Sequence, residues 1–100
     1  MAIPKLSDQY RNWYILKGYE IHEYPEMRFW YLNGKRHRED GPAVEFASGA
    51  KFWYKNNKYH REGGPAVEHS NGDREWYLNG EWMTEEEHQK AVKEIMKNAT

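Results

Sequence analysis

A histidine beside carboxylates occurs twice in this chain, as His37-Arg38-Glu39-Asp40 and again as His60-Arg61-Glu62. An imidazole next to an acid can act as a general base, and imidazoles can ligate zinc. The arginine between them can stack on an aromatic ring or hold a phosphate. Recurrence in register weighs against catalysis, because an active site is ordinarily single. A structural role fits better: Arg pairing with Glu, or His bonding to the backbone of the Gly-Pro turns at Gly41-Pro42 and Gly64-Pro65. The histidine spacing matches no zinc pattern, and His22 and His69 do not complete one, so no metal site is expected. No Gly-rich phosphate loop, nucleophile elbow or paired-acid motif occurs. No cofactor is implied, no catalytic residue is assigned and no enzymatic activity is expected.

The elements that position these clusters follow from a period. Trp30-Tyr31, Trp53-Tyr54 and Trp76-Tyr77 recur every 23 residues, and residues 30–52 and 53–75 are identical at 13 of 23 positions. A fixed period of this size implies one supersecondary unit stacked on copies of itself. Residues 27–32 read as an aromatic strand, and Asn33-Gly34 as a type I′ hairpin turn with both residues at positive φ. Asn56-Asn57 and Asn79-Gly80 repeat that turn. The Gly-Pro pair breaks the return strand, Pro by its missing donor and Gly by an unusual φ. Short strands resume at 43–46 and 66–69. Trp30, Trp53 and Trp76 should line one face and Tyr31, Tyr54 and Tyr77 the other, since neighbours along a strand point oppositely. The Trp row is the expected core, and Glu45 and Glu68 are expected on solvent-facing positions.

The two ends of the array differ. Trp13-Tyr14 and Lys17-Gly18 read as a degenerate first copy over 13–29, and Ser7 or Asp8 can cap a short helical turn. Residues 76–83 form a partial copy. Thr84 and Glu87 then make a capping box, with Glu85, Glu86 and Glu87 in the first turn of a helix over 84–98. Its apolar stripe, Ala91, Val92, Ile95 and Met96, should cover an open edge or face of the sheet.

Composition bounds the rest. One hundred residues make a single domain with a small core, for which five Trp, eight Tyr and three Phe supply bulk. Net charge is −1 with both signs interspersed, which speaks against duplex nucleic acid as a partner. Without cysteine there is neither a disulfide nor a thiolate metal site. No apolar run is long enough to span a membrane, and none resembles a signal peptide, so a soluble, cytoplasmic protein is expected.

The run Trp-Tyr-x-Asn-Gly-Lys-x-His-Arg-Glu-x-Gly-Pro-Ala-Val-Glu resembles a MORN-like repeat found in small proteins of bacteriophages and large DNA viruses. The likeness covers roughly residues 27–83, without the regular Gly pairs of ordinary MORN repeats. It implies a mainly β fold: an antiparallel meander of stacked β-hairpin repeats capped by one C-terminal α-helix. It further implies a binding protein that inhibits or redirects a host protein, such as a defence component, in the host cytoplasm. Tyr31, Tyr54, Arg38, Arg61, Glu85 and Glu86 are the expected contact residues, as Tyr and Arg are favoured at hot spots. Two alternatives stay open. One is sequestration of a small nucleotide in a groove of Arg and Tyr; the other is a structural module that self-assembles as a homodimer.

Overall fold

The computed structural model describes residues 2–99. Helix α1 (Asp8–Leu16) comes first, then ten strands, then helix α2 (Glu85–Asn98). The strands are β1 (Tyr19–Glu23), β2 (Met27–Leu32), β3 (Lys35–Arg36), β4 (Val44–Phe46), β5 (Lys51–Phe52), β6 (Tyr54–Lys55), β7 (Lys58–Tyr59), β8 (Val67–Glu68), β9 (Arg74–Leu78) and β10 (Glu81–Met83). The main sheet runs β1-β2-β4-β5-β8-β9-β10 with β3 beside β2, while β6 and β7 pair with each other. All pairings are antiparallel. The fold is therefore a small mixed domain, an antiparallel meander with a helix at each end.

Each copy is more than a hairpin. The long strand β2 pairs through its first half with β4 and through its second half with β3. Trp30 sits where the pairing changes hands: its N–H donates to the Ala43 carbonyl (2.9 Å), and its carbonyl accepts from the His37 N–H (3.3 Å). Trp53 repeats this with Ala66 (2.7 Å) and His60 (3.0 Å). Between the two halves, the Gly-Pro segment leaves the ladder because Pro has no N–H to offer. The chain then returns as the Ala-Val-Glu strand.

The turns form as the sequence requires. Asn33, Asn56, Asn57 and Asn79 all have positive φ, as do Gly34 and Gly80. Gly41 and Gly64 do not, against expectation. Their role is space: a Cβ on Gly41 would lie 2.6 Å from the Arg38 guanidinium carbon, and one on Gly64 would lie 3.0 Å from that of Arg61.

The N-terminal helix corrects the sequence reading. Trp13 and Tyr14 belong to α1, capped by Ser7, and form no strand of a shortened copy. The Tyr14 ring packs edge-on against Trp30, at 5.9 Å between centroids. An ion-pair network ties this end together: Glu23 accepts from the Leu6 N–H (3.0 Å) and from Arg11, and faces Arg28 Nε at 3.3 Å. Arg28 also donates to the Pro4 carbonyl. At the other end α2 has the expected span and the Thr84–Glu87 capping box. Only the first half of its stripe is used. Ala91 and Val92 are half-buried, whereas Ile95 and Met96 project into solvent.

The core follows the Trp row unevenly. Trp30, Ala43 and Ala66 are fully buried, whereas Trp53 and Trp76 are half-buried. The two buried alanines are the residues whose carbonyls accept the Trp30 and Trp53 N–H groups.

Candidate functional site

The repeated His-Arg-Glu run turns out to be the joint within and between copies. The His37 Nδ1 accepts from the backbone N–H of Asn56 in the next copy's turn (3.1 Å). His60 does the same for Asn79 (3.0 Å). An acceptor at Nδ1 places the proton of a neutral imidazole on Nε2. Each histidine therefore holds the following hairpin, not its own Gly-Pro turn. The arginines stack on their own copy's tryptophan, Arg38 at 3.9 Å from the Trp30 centroid and Arg61 at 3.8 Å from that of Trp53. Both donate through Nη1 to the proline carbonyl, Pro42 or Pro65, at 3.1 Å. Nη1 also reaches the strand glutamate, Glu45 (2.9 Å) or Glu68 (3.2 Å). These glutamates are thus turned toward the arginines and half-buried, not simply solvent-facing as the sequence suggests.

Arg38 has further partners. Its Nε donates to Asp40 Oδ1 (3.1 Å), and its Nη2 donates to the Tyr14 hydroxyl (3.0 Å), which donates in turn to Asp40 Oδ2 (2.7 Å). Burial alone would push the Asp40 carboxyl up, but the Tyr14 hydroxyl and the Arg38 charge outweigh it and hold it below the ordinary carboxylate range. Burial and the bond to Asp40 raise the Tyr14 phenol. Sequence reasoning missed Tyr14 and Asp40. Asp40 was visible as the one acidic difference inside the motif, since Gly63 takes its place in the second copy.

The tryptophan side carries both helices. Helix α1 covers the Trp30 layer through Tyr14. Helix α2 lies beside Trp76, Gly64 and Pro65, and the buried His88 donates from Nε2 to the Arg61 carbonyl (2.6 Å). Between them the Trp53 layer opens onto a hollow of about 490 Å³ lined by Arg38, Asp40, Trp53, Lys55, Arg61 and Glu62, among others.

The opposite face is aromatic and bears no helix. Tyr54 and Tyr59 rings lie 4.7 Å apart, Tyr59 and Tyr77 5.0 Å, and Phe52 stacks on Tyr59 at 6.2 Å. Phe29 and Tyr31 meet edge-on at 6.1 Å, and Arg36 lies 5.5 Å over Tyr54. Desolvation, then the Tyr54 hydrogen bond, push the Tyr59 phenol strongly upward. A hollow of about 230 Å³ opens here, walled by Phe29, Arg36, Phe46, Phe52, Tyr54 and Tyr59.

The structure separates the expected contact residues. Tyr31 and Tyr54 are half-buried on the aromatic face, while Arg38 and Arg61 lie over tryptophans on the other. A groove combining those arginines with those tyrosines therefore does not form, because the chain leaves the ladder after β3 and β7 and the arginines fold back over the tryptophans. Glu85 and Glu86 are exposed in the first turn of α2.

Among the described residues, no group of three or more His, Cys, Asp or Glu side chains is arranged to hold a metal ion. None of the described helices is long and apolar enough to cross a membrane. No family model, curated protein or solved structure matches this chain.

Proposed function

We propose that this chain is a non-catalytic, MORN-like repeat protein that binds another protein through its helix-free aromatic face. One observation carries the reading. Both helices pack on the tryptophan side, and the Phe29, Tyr31, Phe52, Tyr54, Tyr59 and Tyr77 side is left half-exposed. Tyrosine and arginine supply most anchoring energy at protein interfaces, and Arg36 sits among these rings. Charge selects the partner. Residues 27–38 and 51–61 contain no acid, and Arg36, the cross-strand partner of Tyr31, is the exposed cation on this face. The surface that fits is flat and apolar with an acidic group placed to meet Arg36, and a projecting side chain would enter the 230 Å³ hollow. The motif resemblance extends the reading to a viral-type protein that inhibits or redirects such a host protein. The duplicated histidines, each tied to a backbone N–H, support a role in joining copies over one in proton transfer.

The test pairs capture with a face variant. Immobilised protein should retain one stoichiometric partner from bacterial lysate, and Tyr54→Ala should lose it while keeping a cooperative melt. Retention of nothing, or equal retention by the variant, would refute the reading.

The nucleotide alternative has one feature in its favour, the 490 Å³ hollow on the other face. Its lining sets Arg38, Lys55 and Arg61 against Glu39, Asp40 and Glu62, three cations against three acids. That balance disfavours a polyphosphate. Calorimetry against a nucleotide panel decides it.

A further inference from the structure

The two arginine–tryptophan stacks have the same inner contacts and different outer ones. Arg38 is met on every side: Nη1 by Pro42 and Glu45, Nε by Asp40, Nη2 by Tyr14. Arg61 has only the Nη1 partners, Pro65 and Glu68. Its Nε and Nη2 have no acceptor among the described residues. Gly63 replaces the aspartate, no helix delivers a tyrosine, and the unmet guanidinium lines the 490 Å³ hollow.

We infer that the Nε/Nη2 edge of Arg61 is a binding site for a carboxylate, with the Asp40–Tyr14 pair of the first copy as its internal template. Those two donors point the same way and match the two oxygens of one carboxylate. The edge is already oriented, since Trp53 stacking and the Pro65 and Glu68 bonds fix the guanidinium before any ligand arrives. Orientation in advance lowers the entropic cost of binding. Lys55 adds a second cation at the wall, while Glu39, Asp40 and Glu62 limit the anionic charge the hollow accepts. A single carboxylate therefore suits it better than a dianionic phosphate. Space beside Trp53, where Tyr14 lies in the first copy, suits a carboxylate carried on a phenol-like ring. The site lies on the opposite side of the sheet from the aromatic face, so it stands or falls separately from the proposed partner surface.

The probes are 4-hydroxyphenylacetate, for a free organic acid, and the acetylated, amidated dipeptide Tyr-Asp, for a peptide-borne one. Inorganic phosphate is the competitor. Binding is read by ¹⁵N chemical shifts of the Arg61 Nε–H and the Trp53 indole N–H. A saturable shift at Arg61 with at least one carboxylate probe, tighter than with phosphate, is expected; the tighter probe assigns the source. Arg61→Gln should weaken binding at least tenfold. Gly63→Asp should do the same by filling the site from within. That substitution is sterically open, because a Cβ at Gly63 meets nothing within 4 Å and its backbone is outside the left-handed region. Tyr54→Ala should leave the titration unchanged. No saturable shift, phosphate binding as tightly as both carboxylates, or binding that survives Gly63→Asp would overturn the inference.

Discussion

The Trp30 and Trp53 layers are built from nearly the same residues and differ in how completely they are closed. Each has the Trp–Arg stack, the Gly that lets the arginine approach, the buried Ala and the His that grips the next turn. The Trp30 layer adds Asp40, Tyr14 and the whole of α1, and its indole is fully buried. The Trp53 layer has Gly63 and a hollow. The difference teaches that the motif encodes the scaffold of a layer. What covers its outer edge is encoded outside the motif.

Trp30→Ala should cost about 4 kcal/mol and Trp53→Ala about 2, because only the first indole is fully buried. Equal losses in urea unfolding would mean that the layers do not differ in closure. Arg38→Ala should cost about 3 kcal/mol, since it leaves Asp40 and Glu45 without their cation, and Arg61→Ala about 1. Gly41→Ala should cost about 2 kcal/mol, as its Cβ would come within 2.6 Å of the Arg38 guanidinium carbon, and Gly64→Ala less than about 1, as its Cβ would come only to 3.0 Å from that of Arg61. A reversed order, read by thermal melts, would contradict the packing described.

Acid should find the same asymmetry. The Asp40 carboxyl is depressed in the fold, so its contribution is present above its unfolded value near about pH 4 and is lost as pH falls through the folded value. Glu23 and Glu75 are depressed too and share the sign. Asp40→Asn should therefore flatten part of the acid limb of a stability–pH curve. An unchanged limb would show that Asp40 is not coupled to Arg38 and Tyr14.

Much of the fold was legible because its signals are local. The three Asn-led turns adopt the positive φ that their residues allow, and the Thr84 box sets the start of α2. Alternation placed the Trp and Tyr rows on opposite faces, but it could not place Arg38 and Arg61, which lie beyond the ends of β3 and β7. Helix α1 was misread because Trp13-Tyr14 copies the repeat's dipeptide. Besides its contacts with the adjoining β1, its Tyr14 reaches Trp30, Arg38 and Asp40, far along the chain. Gly41 was read as a backbone requirement, and its true cause, the Arg38 side chain, appears only in three dimensions. The Asp40-to-Gly63 difference was in plain view, but its meaning depends on a tyrosine from a helix that the repeat pattern concealed.

A reciprocal exchange tests the account most directly. Urea unfolding of Asp40→Gly and Gly63→Asp, each against the unchanged chain, asks whether the outer contact can be removed from one layer and installed in the other. Asp40→Gly should lose about 1–2 kcal/mol and Gly63→Asp should gain about 0.5–1. A neutral Asp40→Gly together with a destabilising Gly63→Asp would mean that the two arginine stacks are not equivalent sockets.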